Sequence, residues 1–211
     1  GLNRRHAVFR GHIDNPVSIR HNLGISDFCA EFEASAGELG SRIQLLRSWR
    51  PRWFTAKTPI ITKEGKLTAS FVPDYTYLAK FDKRPFLVFV EVQNRIHSLT
   101  PSASGVSAIK SFHHRLVTHR AFSTIFRGHS AIQESEAFFN IKIEHFVTLV
   151  VVVHRTAKHL QNLISIARGK GKSTHQFLFA SLDKLQGRNL FVEPVWFAAN
   201  RQKISLLPKK S

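Results

Sequence analysis

Apolar positions along the chain follow two periods, one helical and one extended. In residues 21 to 35, Phe28 and Phe32 stand four apart, which predicts a first helix with Ser26 as its cap and with Asp27 and Glu31 on a neighbouring face. From Pro51 to Leu67, β-branched stretches flank the turn Lys63-Glu64-Gly65-Lys66, a hairpin pattern that leads into a strand at Thr68 to Leu78. The near-continuous apolar run Phe86 to Val92 follows a turn at Phe81 to Pro85 and predicts a strand buried on both faces. Beyond a Pro, Ser and Gly loop at 101 to 105, Ile109, Phe112, Leu116 and Phe122 predict a helix from Val106 to about Phe126 with a basic face. Phe146 to Val153 then reads as a strand, Ala157 to Arg168 as a helix stopped by Gly169, and Phe177 to Ser181 as a short core strand. Strands alternating with helices in this order predict an α/β fold, a central mixed β-sheet with helices on both faces.

A chain of 211 residues, 43% hydrophobic and 21% charged, can bury a core without staples. It shows no repeat and no low-complexity linker, so residues 1 to 211 read as a single domain. The longest apolar runs, Phe86 to Val90 and Leu149 to Val153, fall far short of the roughly 20 residues needed to cross a bilayer. No membrane association is therefore expected. The lone Cys29 forms no internal disulfide, and no secretory signal pattern is present, so a cytoplasmic, reducing compartment is the expectation. Charge changes the picture most. Lys and Arg number 31 against 14 Asp and Glu, a net +17, and a field of that strength selects polyanions, with nucleic acid first among them.

The acids are unevenly placed: Asp27, Glu31, Glu33 and Glu38 fall together, while Asp74 and Glu91 stand nearly alone in apolar surroundings. Pro73-Asp74 ends one expected strand, and Glu91-Val92-Gln93 ends the next across a turn. Pairing of these strands brings the two carboxylates together. Two carboxylates and a main-chain carbonyl around one point form an all-oxygen site for a hard cation such as Mg2+ or Mn2+, which holds a scissile phosphate and lowers the pKa of bound water.

Through Pro73, Asp74, Glu91 and Gln93 the chain resembles the PD-(D/E)XK nuclease superfamily, and more narrowly the replication-relaxation family of plasmid and mobile-element proteins. The likeness runs from His21-Asn22-Leu23-Gly24-Ile25-Ser26-Asp27 through Trp49, Phe71 to Asp74, Phe89 to Val92 and the Lys110 helix. It continues through Phe146 to Val153, Asn162-Leu163, Phe177 to Ala180 and Pro194-Val195-Trp196. The resemblance implies a restriction-endonuclease-like core with Asp74, Glu91 and the Val92 carbonyl as metal ligands. It also implies a metal-dependent DNA endonuclease or nickase in plasmid or mobile-element processing, nucleoid-associated in a prokaryote. The superfamily's usual Lys is replaced by Gln93, which can still hydrogen-bond water or phosphate, and Lys110 is placed to supply a migrated lysine. Members of that family usually begin with a winged-helix segment, and with only 20 residues before His21 the expectation is that this module was removed or was never carried.

Each assignment has a plainer counterpart. Asp74 is a metal ligand or a turn cap after proline; Glu91 is a metal ligand or an exposed strand-end carboxylate paired with an arginine. Gln93 and Lys110 assist chemistry or are ordinary polar positions. Asp27 or Glu31 adds a ligand from the first helix, or the two form a solvent-facing pair. His21 matches a family position and is expected to be structural, in the core or near the site, with a catalytic role as the lesser alternative. Arg115, Arg120, Arg127, Lys158, Arg168, Lys170 and Lys172 are candidates for DNA phosphate contacts or a solvated face. The spacing of His113, His114, His119, His154 and His159 matches no zinc pattern, and Gly169-Lys170-Gly171-Lys172-Ser173 lacks the upstream glycine of a phosphate loop. A single such site nicks; a double-strand break needs two, hence a homodimer. The reading of another class is a non-catalytic DNA-binding replication accessory that keeps the fold without turnover, which Gln93 favours.

Overall fold

The computed structural model describes residues 16–50, 54–62, 65–93, 103–153, 157–168 and 176–207. In chain order the elements are α1 (Pro16–Glu38), β1 (Ile43–Trp49), β2 (Ala56–Thr62), β3 (Gly65–Phe71), β4 (Tyr75–Phe81), β5 (Arg84–Gln93) and α2 (Ala103–Phe122). They continue with α3 (Ser130–Phe139), β6 (His145–Val152), α4 (Ala157–Arg168), β7 (Phe177–Ser181), the single turn α5 (Leu182–Leu185), β8 (Trp196–Ala198) and β9 (Lys203–Ile204). Seven strands form one sheet in the order β1-β4-β5-β6-β7-β8-β9, and β2 with β3 forms a separate hairpin. The pairs β5–β6 and β6–β7 are parallel; the others are antiparallel. The fold is α/β, with a mixed central sheet flanked by helices.

Side chains alternate across the sheet, so each buried strand feeds two cores. Val88, Val90 and Val92 of β5, Leu149 and Val151 of β6 and Leu178 of β7 pack with Phe28 and Phe32 of α1 on one face. On the other, Val150, Val152 and Phe179 meet Phe112 and Leu116 of α2 and Leu160, Leu163 and Ile164 of α4. There too Leu87 and Phe89 of β5 join Phe122 of α2 and Ile132 of α3. Helices thus cover both faces, as the alternation of elements predicts.

The strand expected at Thr68 to Leu78 is two strands. It breaks at Val72-Pro73-Asp74, where proline lacks the N–H a ladder requires; β3 pairs back on β2, and β4 joins the main sheet. Ser26 lies inside α1, which starts earlier than expected, so it caps nothing. The helix expected to reach Phe126 stops at Phe122, and Phe126–Gly128 forms a short 3-10 turn. β1, β8 and β9 carry no strong period and go unpredicted, as does α3. β4 and β5 are joined by the tight turn Asp82-Lys83, both with positive φ (45° and 73°), and Arg42 holds the Asp82 carboxylate through two 3.0 Å bonds.

Candidate functional site

The Asp82-Lys83 turn sets the position of both carboxylates. Phe81 pairs with Arg84, and the register runs unbroken to Tyr75 opposite Val90; one step further, Asp74 stands beside Glu91. The Asp74 N–H donates to the Val90 carbonyl (3.0 Å), and Asp74 Oδ2 accepts from the Val92 N–H (2.7 Å). The side chain therefore occupies the place of a main-chain acceptor just past the end of β4. By the alternation of β5, the Val92 carbonyl faces the same side, whereas the Gln93 carbonyl faces β6 and accepts from Val153.

α1 supplies the second support of Asp74. A Cβ at Gly24 would lie 2.6 Å from Val153 Cγ2 and 3.3 Å from Val92 Cγ1, so only glycine lets the helix come this close to β5 and the segment after β6. One turn earlier, His21 Nε2 lies 3.2 Å from Asp74 Oδ1. This is the structural position near the site expected for His21.

Glu91 projects to the opposite core from Val90 and Val92, toward α2, and is only 3% exposed. A bare carboxylate there would be costly, and α2 supplies two donors four residues apart. Arg115 Nη1 binds Glu91 Oε2, and His119 Nε2 donates to Glu91 Oε1 at 2.8 Å. A carboxylate accepts only, so His119 carries its proton on Nε2, and its Nδ1 lies 3.0 Å from the Thr148 hydroxyl on β6. Burial pushes the Glu91 carboxyl up, but the Arg115 charge and the hydrogen bonds from His119 and Arg115 outweigh it and hold the group below the usual carboxylate range. Reciprocally, Glu91 and then Asp74 raise the Arg115 guanidinium above its ordinary value, against the effect of burial.

Arg115 Nη1 is also 3.7 Å from Asp74 Oδ2, so one cationic nitrogen touches both carboxylates. Its side chain keeps 38% of its surface in solvent. Next along the same face of β5, Gln93 is 8% exposed, and its buried Nε2 has no hydrogen-bond partner among the described residues. A buried amide donor without an acceptor is costly, and it is what a bound water or phosphate oxygen would satisfy.

Of the residues present, the Asp74 and Glu91 carboxylates and the Val92 carbonyl are the oxygens that a hard cation would use. Asp74 and Glu91 both lie within ion-pair distance of Arg115 Nη1, and the Val92 carbonyl faces the end of β4. Mg2+ is usually held by one or two carboxylates, keeping several of its waters. Among the described residues no group of three or more His, Cys, Asp or Glu is arranged to hold a metal ion. Asp27 is exposed and Glu31 half-buried along α1, and among the described residues neither belongs to a group of three or more potential metal ligands.

The expected phosphate contacts divide. Arg115 belongs to the carboxylate pair rather than to an open basic face. Arg120 is half-buried, with its guanidinium 5.9 Å over the Phe177 ring and Nη2 3.5 Å from the Ala167 carbonyl, which makes it a packing group of α2 on α4. Burial lowers its pKa. Arg127, Lys158 and Arg168 are exposed, the last two at opposite ends of α4, about 15 Å apart along the axis. Lys170, Lys172 and His154 lie outside the described residues, as does the side chain of Lys110, which falls on α2.

From the sequence Arg115 is a candidate phosphate contact and His119 one of the histidines that match no zinc pattern; their bonds to Glu91, and the part of Thr148, are not foreseen there. The signal was present: Phe112, Leu116 and Phe122 define the buried stripe of α2, and Arg115 and His119 fall within it. Polar residues in an apolar stripe call for a buried partner, and Glu91 is that partner. Comparison with family models, with curated proteins and with solved structures finds no match. Among the described residues no helix is long and apolar enough to cross a membrane.

Proposed function

We propose that the protein is a Mg2+- or Mn2+-dependent DNA endonuclease or nickase, acting in plasmid or mobile-element DNA processing. The observation that carries this reading is the convergence of Asp74 and Glu91, from neighbouring strands of a +17 chain, on a single cationic nitrogen. Asp74, Glu91 and the Val92 carbonyl would hold the ion, whose chemistry is to bind a phosphate oxygen and make water acidic enough to attack. In the displacement, the attacking water would lose a proton to solvent as its oxygen bonds to phosphorus, and the opposite ester P–O bond would break, its leaving oxygen taking up a proton from solvent.

The chain's own residues do the positioning. His21 and the Val92 N–H fix the Asp74 carboxylate, and His119, held by Thr148, fixes Glu91. The Gln93 amide offers its N–H to a phosphate oxygen or to the attacking water, the role that a lysine fills in the nucleases the sequence resembles. Arg115, from the exposed side, can neutralise the phosphate.

One observation favours a second reading, a DNA-binding replication accessory without turnover. Every oxygen of Asp74 and Glu91 already has a protein partner, an arrangement that also suits a purely structural ion-pair network. End-labelled duplex and single-stranded DNA incubated with Mg2+, Mn2+ or chelator separates the two. The nuclease reading requires metal-dependent product that disappears in both Asp74→Asn and Glu91→Gln. The accessory reading requires no product and salt-sensitive binding that survives chelation.

A further inference from the structure

The ion-pair geometry raises a question of order: Arg115 occupies the point where the two carboxylates would hold a divalent ion. The two carboxylates carry two negative charges, and Arg115 returns one positive charge. A guanidinium and a divalent cation cannot share that point, because like charges at such separations repel strongly in a partly buried site. Arg115 must therefore leave as metal enters.

Its surroundings permit this. Its side chain is 38% solvent-exposed, while that of Glu91 is 5% exposed and that of Asp74 14%, so the arginine is the mobile member on the solvent side. Glu91 is not stranded by the departure, since His119 holds its other oxygen at 2.8 Å. Asp74 likewise keeps the Val92 N–H and His21. What the displaced guanidinium lacks is an anion, and the planar fork of arginine is matched by a phosphate diester, whose two free oxygens accept it in parallel.

Resting on the nuclease reading above, we propose that Arg115 is a substrate-operated gate. In the free protein its guanidinium holds the cation place between Asp74 and Glu91, and a DNA phosphate draws it out, so that divalent metal and DNA bind cooperatively. Metal uptake without DNA is then suppressed, and by linkage the metal must tighten DNA binding by the same factor that DNA tightens metal binding.

The test is Mn2+ binding, read from the loss of the free-ion electron paramagnetic resonance signal. It is done with and without a short phosphorothioate duplex, the duplex's own Mn2+ binding being subtracted. Wild type should bind Mn2+ at least about tenfold more tightly with DNA, within the range usual for coupled sites. Arg115→Gln should bind the ion tightly without DNA and gain little from it. Arg115→Lys, which keeps the positive charge, should remain weak without DNA, and it decides the matter beside wild type if Arg115→Gln fails to fold by circular dichroism. Equal Mn2+ affinity of wild type with and without DNA, lost in Asp74→Asn, would overturn the gate and leave the nuclease reading standing. Absence of Asp74-dependent Mn2+ binding under every condition would overturn both.

Discussion

Glu91 and His119 are joined by a 2.8 Å hydrogen bond in a space almost closed to solvent, where they are 3% and 2% exposed. The bond fixes the protonated nitrogen of the imidazole and, with Arg115, keeps the Glu91 carboxyl ionised in spite of its burial. The pH dependence follows. The folded-state pKa is depressed, so the stabilisation is present above the unfolded carboxylate value of about 4.3 and is lost as pH falls below it toward the folded value. Urea midpoints measured between about pH 3 and 7 should fall on the acid side of pH 4.5 in wild type, and Glu91→Gln should remove part of that fall.

Removal of Arg115 leaves Glu91 with His119 alone. Breaking a fully buried pair costs several kcal/mol, but the partial exposure of Arg115 reduces the loss, and Arg115→Ala should lower stability by about 1–3 kcal/mol. Equilibrium urea denaturation at neutral pH measures it. Thr148→Val should also destabilise, by about 1 kcal/mol, because it strips the partner from the buried His119 Nδ1.

Gly24 is a contact of helix against sheet. A methyl group at this position meets Val153 Cγ2 at 2.6 Å, too close to accommodate without moving α1 or the valine. Gly24→Ala should cost about 1–3 kcal/mol, and Gly24→Val more, even though alanine is the better helix former. A thermal melt that shows Gly24→Ala as stable as wild type would mean that α1 sits farther from β5.

How much of this site can be read from sequence depends on which residues one follows. Asp74 and Glu91 are legible because both flank a short turn and share one ladder, so pairing outward from Asp82-Lys83 leads to them. The strands Phe177 to Ser181 and Phe86 to Val92 are legible for another reason: apolar runs buried on both faces leave a continuous signal. β1, by contrast, is an edge strand whose pattern is mixed, with Gln44, Arg47 and Ser48 exposed and a register shift between Leu45 and Arg47. The intramolecular contacts of Arg115 and Arg120 are not legible in the sequence, because a helical wheel shows charge but not the partner. Glu91 draws one of them inward, and Phe177 with the end of α4 draws in the other.

That difference extends to DNA binding. Arg127, Lys158 and Arg168 are exposed, and each one that contacts a phosphate should reduce the slope of log affinity against log salt by about 0.9 when replaced by alanine. Arg120→Ala should leave the slope unchanged while lowering stability, since its guanidinium lies against Phe177 and Ala167. Fluorescence anisotropy with labelled duplex over a salt series, beside a urea melt of each variant, distinguishes the two kinds of arginine.

The most direct measurement is anomalous scattering from Mn2+ in crystals grown with a phosphorothioate duplex. The account predicts a peak in direct contact with the Asp74 and Glu91 carboxylates, close to the roughly 2.0–2.1 Å of magnesium ligation. Arg115 should then be swung onto a backbone phosphate. Crystals in which DNA is bound, Arg115 still bridges the two carboxylates and no peak lies between them would contradict it.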